Sequence, residues 1–421
     1  MLLTLKIDNC AVYNSEVEFS MRANMHYRRF PNNTVKIGKV NVLKTAVILG
    51  PNNTGKTSFV RCIAAIRDAI LNRGIEFRRN IFSDNPIVEV SISFIEGGKE
   101  YFFEIKYDAD KQEYVYERFG QIVRDVHKNC RSINLIVRDT INKSYSASNA
   151  DLVKMMKVAG KKNLLIYVID TESFQELQRM KEVLTAFAST IDVVDMNNIP
   201  IQKTIEMLKQ SEEAHEKIAG FIRNADLLLD DFRYLRDDEL EISVRNENGD
   251  AVRPQENAIM QSVPMMDMLH LASVYKGTFV PSMLYDSTGT KKMAALASYV
   301  IDALEKGRIL VVDELDNSLH FRLTRAIVAL FNNELNQNAQ LIATAHDVSL
   351  LDCHTLLRKE QIWFSHKDKE NTYLYSLADF TADKDGVRDT SDLIEKYRSG
   401  IFGALPEPDL FQSLLEVKGH G

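Results

Sequence analysis

The sequence of 421 residues contains no apolar run of about 18 residues, which is the length that a membrane-spanning helix needs. Its opening, MLLTLKIDNC, has no basic segment and no small-residue cleavage site. We therefore expect a cytoplasmic protein without a membrane partner. The four cysteines are far apart and form no CxxC pair, which argues against a disulfide framework or a zinc site.

The sequence also has no excess of positive charge, because it contains 52 Lys and Arg residues and 59 Asp and Glu residues, which gives a net charge of −7. This balance provides no overall attraction to nucleic acid, although basic pairs such as Arg28 with Arg29 leave local contacts possible. Low-complexity tracts and internal repeats are absent as well. With 45% hydrophobic residues, the chain is predicted to bury a large core in two or three lobes.

What the sequence does contain is a glycine-rich loop, GPNNTGKT, which fits the pattern GxxxxGK[ST]. A short apolar run, TAVIL, precedes it, and apolar residues at helical spacing follow from Ser58, so a strand, a loop and a helix are predicted in this order. Backbone N–H groups of such a loop bind phosphate oxygens, while the lysine adds charge and the threonine a Mg²⁺ ligand. The predicted phosphate-binding residues are Gly50, Pro51, Asn52, Asn53, Thr54, Gly55, Lys56, Thr57 and Ser58, with Thr57 also on the metal.

A second motif fits the same chemistry. The run RILVVDE, from Arg308 to Glu314, reads as an apolar strand that ends in two acids, as in a Walker B element. A carboxylate at the end of such a strand can hold Mg²⁺ opposite the loop threonine, and the next acid can activate the attacking water. We assign Asp313 to the metal and Glu314 to the water.

Upstream of this strand, DSTGT at Asp286–Thr290 opens a predicted helix that runs to Gly307. It resembles, in degenerate form, the Ser-x-Gly signature of ABC-type ATPases, which binds the γ-phosphate of a nucleotide held by the partner subunit. The resemblance implies that Ser287, Thr288 and Gly289 contact ATP bound to a second copy of the chain, in a head-to-tail dimer.

Two further positions follow the ABC pattern. After Walker B the chain reads LDNSLH, and His320 stands where the ABC D-loop usually ends in aspartate, a departure that affects the cross-dimer contact. His346, directly after the predicted strand QLIATA, matches the switch histidine that senses the γ-phosphate. With Lys56 and Glu314 it completes the predicted catalytic set. Gln121 is a weak candidate for the glutamine of the Q-loop.

The remaining patterns predict three regions. Residues 1–148 combine the phosphate-loop half of the core with antiparallel strands at 87–95, 101–107 and 113–119. Residues 149–238 show helical periodicity and are interpreted as an inserted arm or lid. Residues 239–421 return to the α/β pattern, after two short strands at 239–254 around an Asn-Gly-Asp turn.

Together these motifs resemble the ABC-type ATPases of bacterial abortive-infection and overcoming-lysogenization-defect systems, distant relatives of SMC and RecF proteins. The likeness rests on the opening LLTLKIDNCAVYNSEVEFSM, the phosphate loop, the block from DSTGT to NSLH, and the tail elements IWFSHKD and KYRSGIFGALP, roughly a third of the chain. It implies an α/β fold with an ABC-type P-loop core, an antiparallel β subdomain and a helical insertion. ATP and Mg²⁺ are the implied ligands.

The same resemblance implies a homodimer or higher homo-oligomer that controls a nuclease or toxin during phage infection. Only 75 residues follow His346, without a convincing acidic metal cluster, so we expect the effector to be a separate polypeptide. Three alternatives stay open: an SMC- or RecF-like DNA-repair ATPase that binds DNA directly, a transporter ATPase subunit, and a scaffold in which ATP is structural.

Overall fold

The architecture comes from a computed structural model. It describes residues 1–24, 27–124, 130–225, 228–236, 244–245, 251–252, 267–369, 371–388, 391–405, 413 and 416–417. The remaining residues fall mostly between 237 and 266 and near the C-terminus.

A six-stranded sheet forms the centre of the fold, in the order β11-β17-β18-β5-β19-β20. Its first five strands run parallel, and β20 is antiparallel to β19. The strands are β11 (Ile191–Asp195), β17 (Ile309–Asp313), β18 (Gln340–Ala345), β5 (Thr45–Leu49), β19 (Ile362–Lys367) and β20 (Thr372–Ser376).

Continuous apolar runs suit this position because a parallel sheet is covered on both faces. All residues of β5, β17 and β18 are buried. Alternate side chains enter different cores: Ala46 and Ile48 belong to the core on one face, and Val47 and Leu49 to the core on the other.

A second, antiparallel sheet of seven strands has the order β10-β9-β8-β7-β6-β1-β2. The strands predicted at 87–95, 101–107 and 113–119 are confirmed as its members. The bounds are β1 (Leu2–Asp8), β2 (Val17–Ser20), β6 (Ile87–Glu96), β7 (Lys99–Asp108), β8 (Glu113–Arg124), β9 (Cys130–Asp139) and β10 (Ser144–Ser146).

Smaller sheets complete the strand set. One sheet has three strands in the order β12-β15-β16, and β3 with β4 and β13 with β14 form two separate two-stranded sheets. The hairpin of β13 and β14 lies where two strands were predicted at 239–254, although the turn between them is outside the described residues. These strands are β3 (Thr34–Ile37), β4 (Val40–Leu43), β12 (Asp231–Tyr234), β13 (Val244–Arg245), β14 (Ala251–Val252), β15 (Leu271–Tyr275) and β16 (Thr278–Pro281).

The helices fill the spaces around the six-stranded sheet. Residues of α1 and α4 share the core between the two large sheets, whereas α8 and α9 cover the opposite face. The helices are α1 (Lys56–Leu71), α2 (Ala150–Val158), α3 (Leu165–Val168), α4 (Gln175–Ser189), α5 (Gln202–Gln210), α6 (Glu212–Asn224), α7 (Ser282–Tyr285), α8 (Thr288–Lys306), α9 (Phe321–Asn332), α10 (Ala382–Asp385) and α11 (Leu393–Arg398). Four short 3-10 turns lie at Pro31–Asn33, Val348–Leu350, Lys359–Gln361 and Leu377–Asp379.

The region 149–238, interpreted from the sequence as a helical insertion, contains strands as well as helices. Between α4 and α5 lies β11, which pairs in parallel with β17, the Walker B strand. The helical pattern hid it because the apolar run IDVVD is only five residues long and follows a helix directly. This stretch therefore contributes an edge strand to the core sheet, while the boundaries at 148 and 238 stay a prediction.

Candidate nucleotide site

The loop between β5 and α1 has the backbone of a phosphate cradle. Gly50 has a φ of 156°, and a Cβ there would lie 2.3 Å from the backbone oxygen of Ser365. Gly55 has a φ of 102°, and a Cβ there would lie 2.8 Å from Cγ2 of Thr372. Both positions therefore require glycine. The loop is tied to β19, because Oγ of Ser365 donates a hydrogen bond to the backbone oxygen of Thr54 at 2.5 Å.

Lys56, the first residue of α1, is only 6% exposed. Its Nζ donates hydrogen bonds of 2.7 Å to the backbone oxygens of Gly50 and Pro51, inside the loop. Burial lowers the pKa of this ammonium to about 8, and the charges of nearby carboxylates offset part of the decrease. These carboxylates belong to Asp313, Glu314 and Asp316. The positive charge of Lys56 is therefore held at the loop although its burial is unfavourable.

At the end of β17, Asp313 is buried and its Oδ1 accepts a hydrogen bond of 2.5 Å from Oγ1 of Thr344 on the adjacent strand. The same threonine oxygen accepts a bond of 2.8 Å from the backbone N–H of Glu314. Thr344 therefore fixes both acids relative to β18. A buried carboxylate beside the phosphate loop suits an oxygen-ligated divalent cation, which is the ligand predicted for Asp313. Thr57, the other predicted ligand, is the second residue of α1, directly after Lys56.

Glu314 adopts a left-handed backbone conformation, with a φ of 55°, which is uncommon for a non-glycine residue. Its Oε2 accepts two hydrogen bonds, from Nδ2 of Asn197 at 3.0 Å and from Nδ2 of Asn317 at 3.1 Å. The bond from Asn197 is the main cause of a lowered pKa of Glu314, burial opposes it, and the bond from Asn317 and the charge of Lys56 act in the same direction as the Asn197 bond. Glu314 is consequently ionised at neutral pH.

The segment that resembles an ABC signature begins α8. Oγ of Ser287 caps the helix by accepting the backbone N–H of Thr290 at 3.1 Å. A Cβ on Gly289 would lie 2.8 Å from the backbone oxygen of Ser318, so the helix start packs closely on the loop after Walker B. Within the described part of the chain, no hydrogen bond joins Ser287, Thr288 or Gly289 to the phosphate loop of the same molecule.

His346 lies directly after β18, and its backbone N–H donates a bond of 2.9 Å to Oδ2 of Asp316. Burial lowers the pKa of the imidazole, and the positive charge of Lys56 lowers it further. The side chain is therefore neutral at physiological pH. His320 caps α9 instead, where its Nδ1 accepts the backbone N–H of Arg322 at 3.3 Å.

These groups converge because β17, β18 and β5 are parallel neighbours, so the loops after their carboxyl ends share one edge of the sheet. Asp313 is the last residue of β17, and Lys56, Glu314 and His346 lie in the segments that follow these strands. Their charges contribute to the pKa shifts of Lys56 and His346, as expected for a compact site.

A family model described as "AAA domain, putative AbiEii toxin, Type IV TA system" matches residues 46–352, which include most of β5 and all of α8, β17 and β18. The chain belongs to this family. The AAA-domain match covers all of the predicted site residues.

Solved structures with similar folds include the "SMC head domain from Thermotoga maritima", at 13% identity and a TM-score of 0.42, covering 89% of this chain and 98% of that one. Another is the crystal structure of "the SmcHead bound to the C-winged helix domain of ScpA", at 14% identity and a TM-score of 0.45, covering 89% and 97%. No curated protein sequence matches. In the part of this AAA-domain protein that the structure describes, every helix is too short or too polar to span a membrane.

Several residues around the site of this AAA-domain protein were not predicted. Asn197 follows β11, the strand that the helical interpretation missed. Ser365 and Lys292 lie within segments that were used for the family resemblance, but neither residue was assigned a role. An apolar run that ends in an acid, as IDVVD does before Met196, is the signal that would have found Asn197. Gln121 lies in β8, where it pairs with Tyr101 and Ile133 in the antiparallel sheet.

Proposed function

We propose that this protein binds and hydrolyses ATP with Mg²⁺, and that ATP-dependent dimerisation gates a separate effector in the cytoplasm. The observation that carries the proposal is the shared sheet edge. Parallel strands bring four groups to this edge: the loop lysine Lys56, the buried carboxylate of Asp313 at the end of β17, the ionised Glu314 and the neutral His346. This is the set of groups that phosphoryl transfer to water requires.

In the proposed reaction the oxygen of water attacks the γ-phosphorus, and the bond to the oxygen that bridges the β- and γ-phosphates breaks. ADP and phosphate leave. Glu314 accepts the water proton at Oε1, since its Oε2 already receives two amide hydrogen bonds. Lys56 leaves the loop carbonyls to contact the triphosphate. Bound Mg²⁺ supplies charge neutralisation, with Asp313 and Thr57 as its protein ligands.

Dimerisation is supported by the signature segment. The start of α8 packs on Ser318, and its capping serine bonds within its own first turn. A second copy that presents this helix start to the nucleotide would complete the site with oriented N–H groups. ATP would then bind the closed dimer better than the open monomers, which is the differential affinity that a switch needs.

The effector part of the proposal rests on the resemblance to abortive-infection ATPases and on the toxin–antitoxin description of the matching family. We propose a nuclease or toxin encoded separately and an antiphage role. A pull-down with the neighbouring gene product, with and without ATP, tests this part. Salt-sensitive binding to duplex DNA that rises with ATP would instead favour the DNA-repair alternative.

The core proposal is tested by the substitution Glu314→Gln. The amide cannot accept the water proton, so we expect hydrolysis to fall on the order of 10²–10⁴-fold, the range that general base catalysis contributes. ATP should then accumulate in a stable dimer, visible by light scattering after size exclusion. Glu395→Gln, on the exposed side of α11, is the matched control. A variant that hydrolyses ATP normally, or stays monomeric with Mg²⁺ and ATP, contradicts the proposal.

A further inference from the structure

Two asparagines hold the carboxylate of Glu314 from one side. Asn197 and Asn317 each donate from Nδ2 to Oε2, at 3.0 and 3.1 Å. They also bond to each other, because Nδ2 of Asn317 donates to Oδ1 of Asn197 at 2.6 Å. The three side chains thus form a closed triangle of hydrogen bonds, which we call the amide clamp.

The position of Asn197 is determined by the edge strand. β11 pairs with β17 so that Asp195 lies beside Asp313, and the backbone N–H of Met196 donates to the oxygen of Asp313 at 3.0 Å. Oδ1 of Asp195 then accepts the backbone N–H of Asn197 at 2.8 Å and its Nδ2 at 3.1 Å. The asparagine is therefore directed at the end of the Walker B strand by a rigid element.

The other half of the clamp is connected to the signature helix. Nζ of Lys292, in the second turn of α8, donates to Oδ1 of Asn317 at 2.8 Å and lies 3.3 Å from Oγ of Ser318. Since the amide oxygen of Asn317 is bound by Lys292, its Nδ2 is turned toward Glu314. A continuous set of side-chain bonds consequently runs from α8 to the carboxylate.

We propose that Asn197 is a positioning residue for Glu314, and that Lys292 and Asn317 transmit the position of the signature helix to the same carboxylate. This inference deepens the proposed function and rests on it. When the start of α8 receives the partner's nucleotide, its movement displaces Lys292 and with it the clamp. Each molecule's hydrolysis then depends on the occupancy of the opposite site.

The chemistry favours this arrangement. Two donors on Oε2 leave Oε1 to accept from water, and they fix the plane of the carboxylate. Without the amide of Asn197, the carboxylate is expected to rotate away from the attacking water.

The test compares Asn197→Ala and Asn197→Asp in the full chain, by kcat and by the KM for ATP. For Asn197→Ala we expect kcat to fall on the order of tenfold, the equivalent of one hydrogen bond to a charged group. The KM for ATP should stay unchanged, because the clamp acts on the carboxylate of Glu314 and not on the phosphate loop. Asn197→Asp should lower kcat at least as far, because a carboxylate cannot donate a hydrogen bond to Oε2.

Control variants separate this role from a structural one. Asn198→Ala, at the exposed neighbouring position, should leave kcat and the KM for ATP unchanged. Lys292→Met should lower kcat without changing the KM for ATP, and Lys292→Arg should restore most of the loss. A fall in kcat that is matched by an equal rise in the KM for ATP, or an unchanged kcat in Asn197→Ala, would overturn the inference.

The failure of the inference is distinguishable from that of the proposed function. If the wild type hydrolyses ATP and Glu314→Gln does not, while Asn197→Ala equals the wild type, only the clamp is refuted. If the wild type itself does not hydrolyse ATP, the proposed function and the clamp are both refuted.

Discussion

Two buried clusters of charge in this molecule are built in opposite ways. In the seven-stranded sheet, Glu117 and Arg138 are both fully buried and form a direct ion pair. Glu117 also accepts the backbone N–H of Leu165 at 3.0 Å, and Nη1 of Arg138 donates to the oxygen of Gly160 at 2.8 Å. These two charges have each other and the backbone as partners.

At the nucleotide site the buried charge has no such partner. Nζ of Lys56 bonds only to neutral carbonyls, and no ion pair within 4.0 Å includes it among the described residues. Burial lowers the pKa of Lys56 to about 8. Breaking a paired buried charge destabilises the fold, whereas an unpaired buried charge is kept at a cost that a ligand can relieve. The contrast favours a structural role for the first cluster and a ligand-binding role for the second.

The largest effect should come from breaking the paired cluster. Arg138→Ala leaves the Glu117 carboxylate buried without its ion-pair partner, so we expect the free energy of unfolding to fall by about 3–5 kcal/mol. Urea denaturation measures this loss. The ATP affinity of the folded fraction should stay unchanged.

The double variant Glu117→Leu with Arg138→Met is the control, because removing both charges avoids the uncompensated one. It should recover most of the stability. If it is as unstable as Arg138→Ala, packing rather than charge is responsible.

Removing the unpaired charge should lower activity but not stability, the opposite of the result expected for Arg138→Ala. In Lys56→Met we expect hydrolysis to fall on the order of 10²–10³-fold, as for other lost transition-state donors, without a loss of folding stability. Steady-state kinetics and thermal denaturation check the two halves. Lys44→Met is a matched control, because Lys44 is also buried and precedes the same strand at its other end, where its Nζ donates to Asn333. Equal rate losses in both variants would argue against a specific role for Lys56.

Local sequence patterns were sufficient to predict many of the strands, helices and loops that this comparison involves. The phosphate loop, the Walker B strand, the signature helix and the antiparallel strands were each predicted from their own period or motif, and the structure has strands and helices at these positions. The phosphate loop is recognisable from its own glycines and the strand before it. Parallel strand order then brings Lys56, Asp313 and His346 to one edge.

Contacts between distant segments were not predictable. Asn197 and Glu314 are 117 positions apart, and their contact depends on β11 taking the edge of the sheet. The pairing of β11 depends on tertiary contacts, which its five residues alone do not predict. The ion pair of Glu117 and Arg138 is likewise set by the register of β8 and β9, in which these residues are directly opposite.

The unpaired charge also predicts a pH dependence of binding. In the free protein the Lys56 ammonium loses its proton as the pH rises through about 8, whereas a bound triphosphate favours the protonated form. Above pH 8 binding must therefore take up a proton, and ATP affinity should fall by up to about tenfold per pH unit. Titration calorimetry between pH 7 and 9.5 measures the slope.

Lys56→Arg provides the control, because a guanidinium stays charged throughout this range. Its affinity should be independent of pH between 7 and 9.5, whatever its absolute value. The same slope in Lys56→Arg as in the wild type would assign the titration to another group.

The smallest expected effect concerns the neutral bond that holds the phosphate loop on β19. Ser365 is fully buried, and Ser365→Ala removes its bond to the Thr54 oxygen while that carbonyl stays in place. We expect a loss of about 1 kcal/mol in unfolding free energy. Because the loop is less firmly positioned, ATP affinity should weaken about fivefold, as for one neutral hydrogen bond. Loss of stability without loss of affinity would mean that the two glycines alone determine the loop conformation, and that the anchor on β19 serves only the fold.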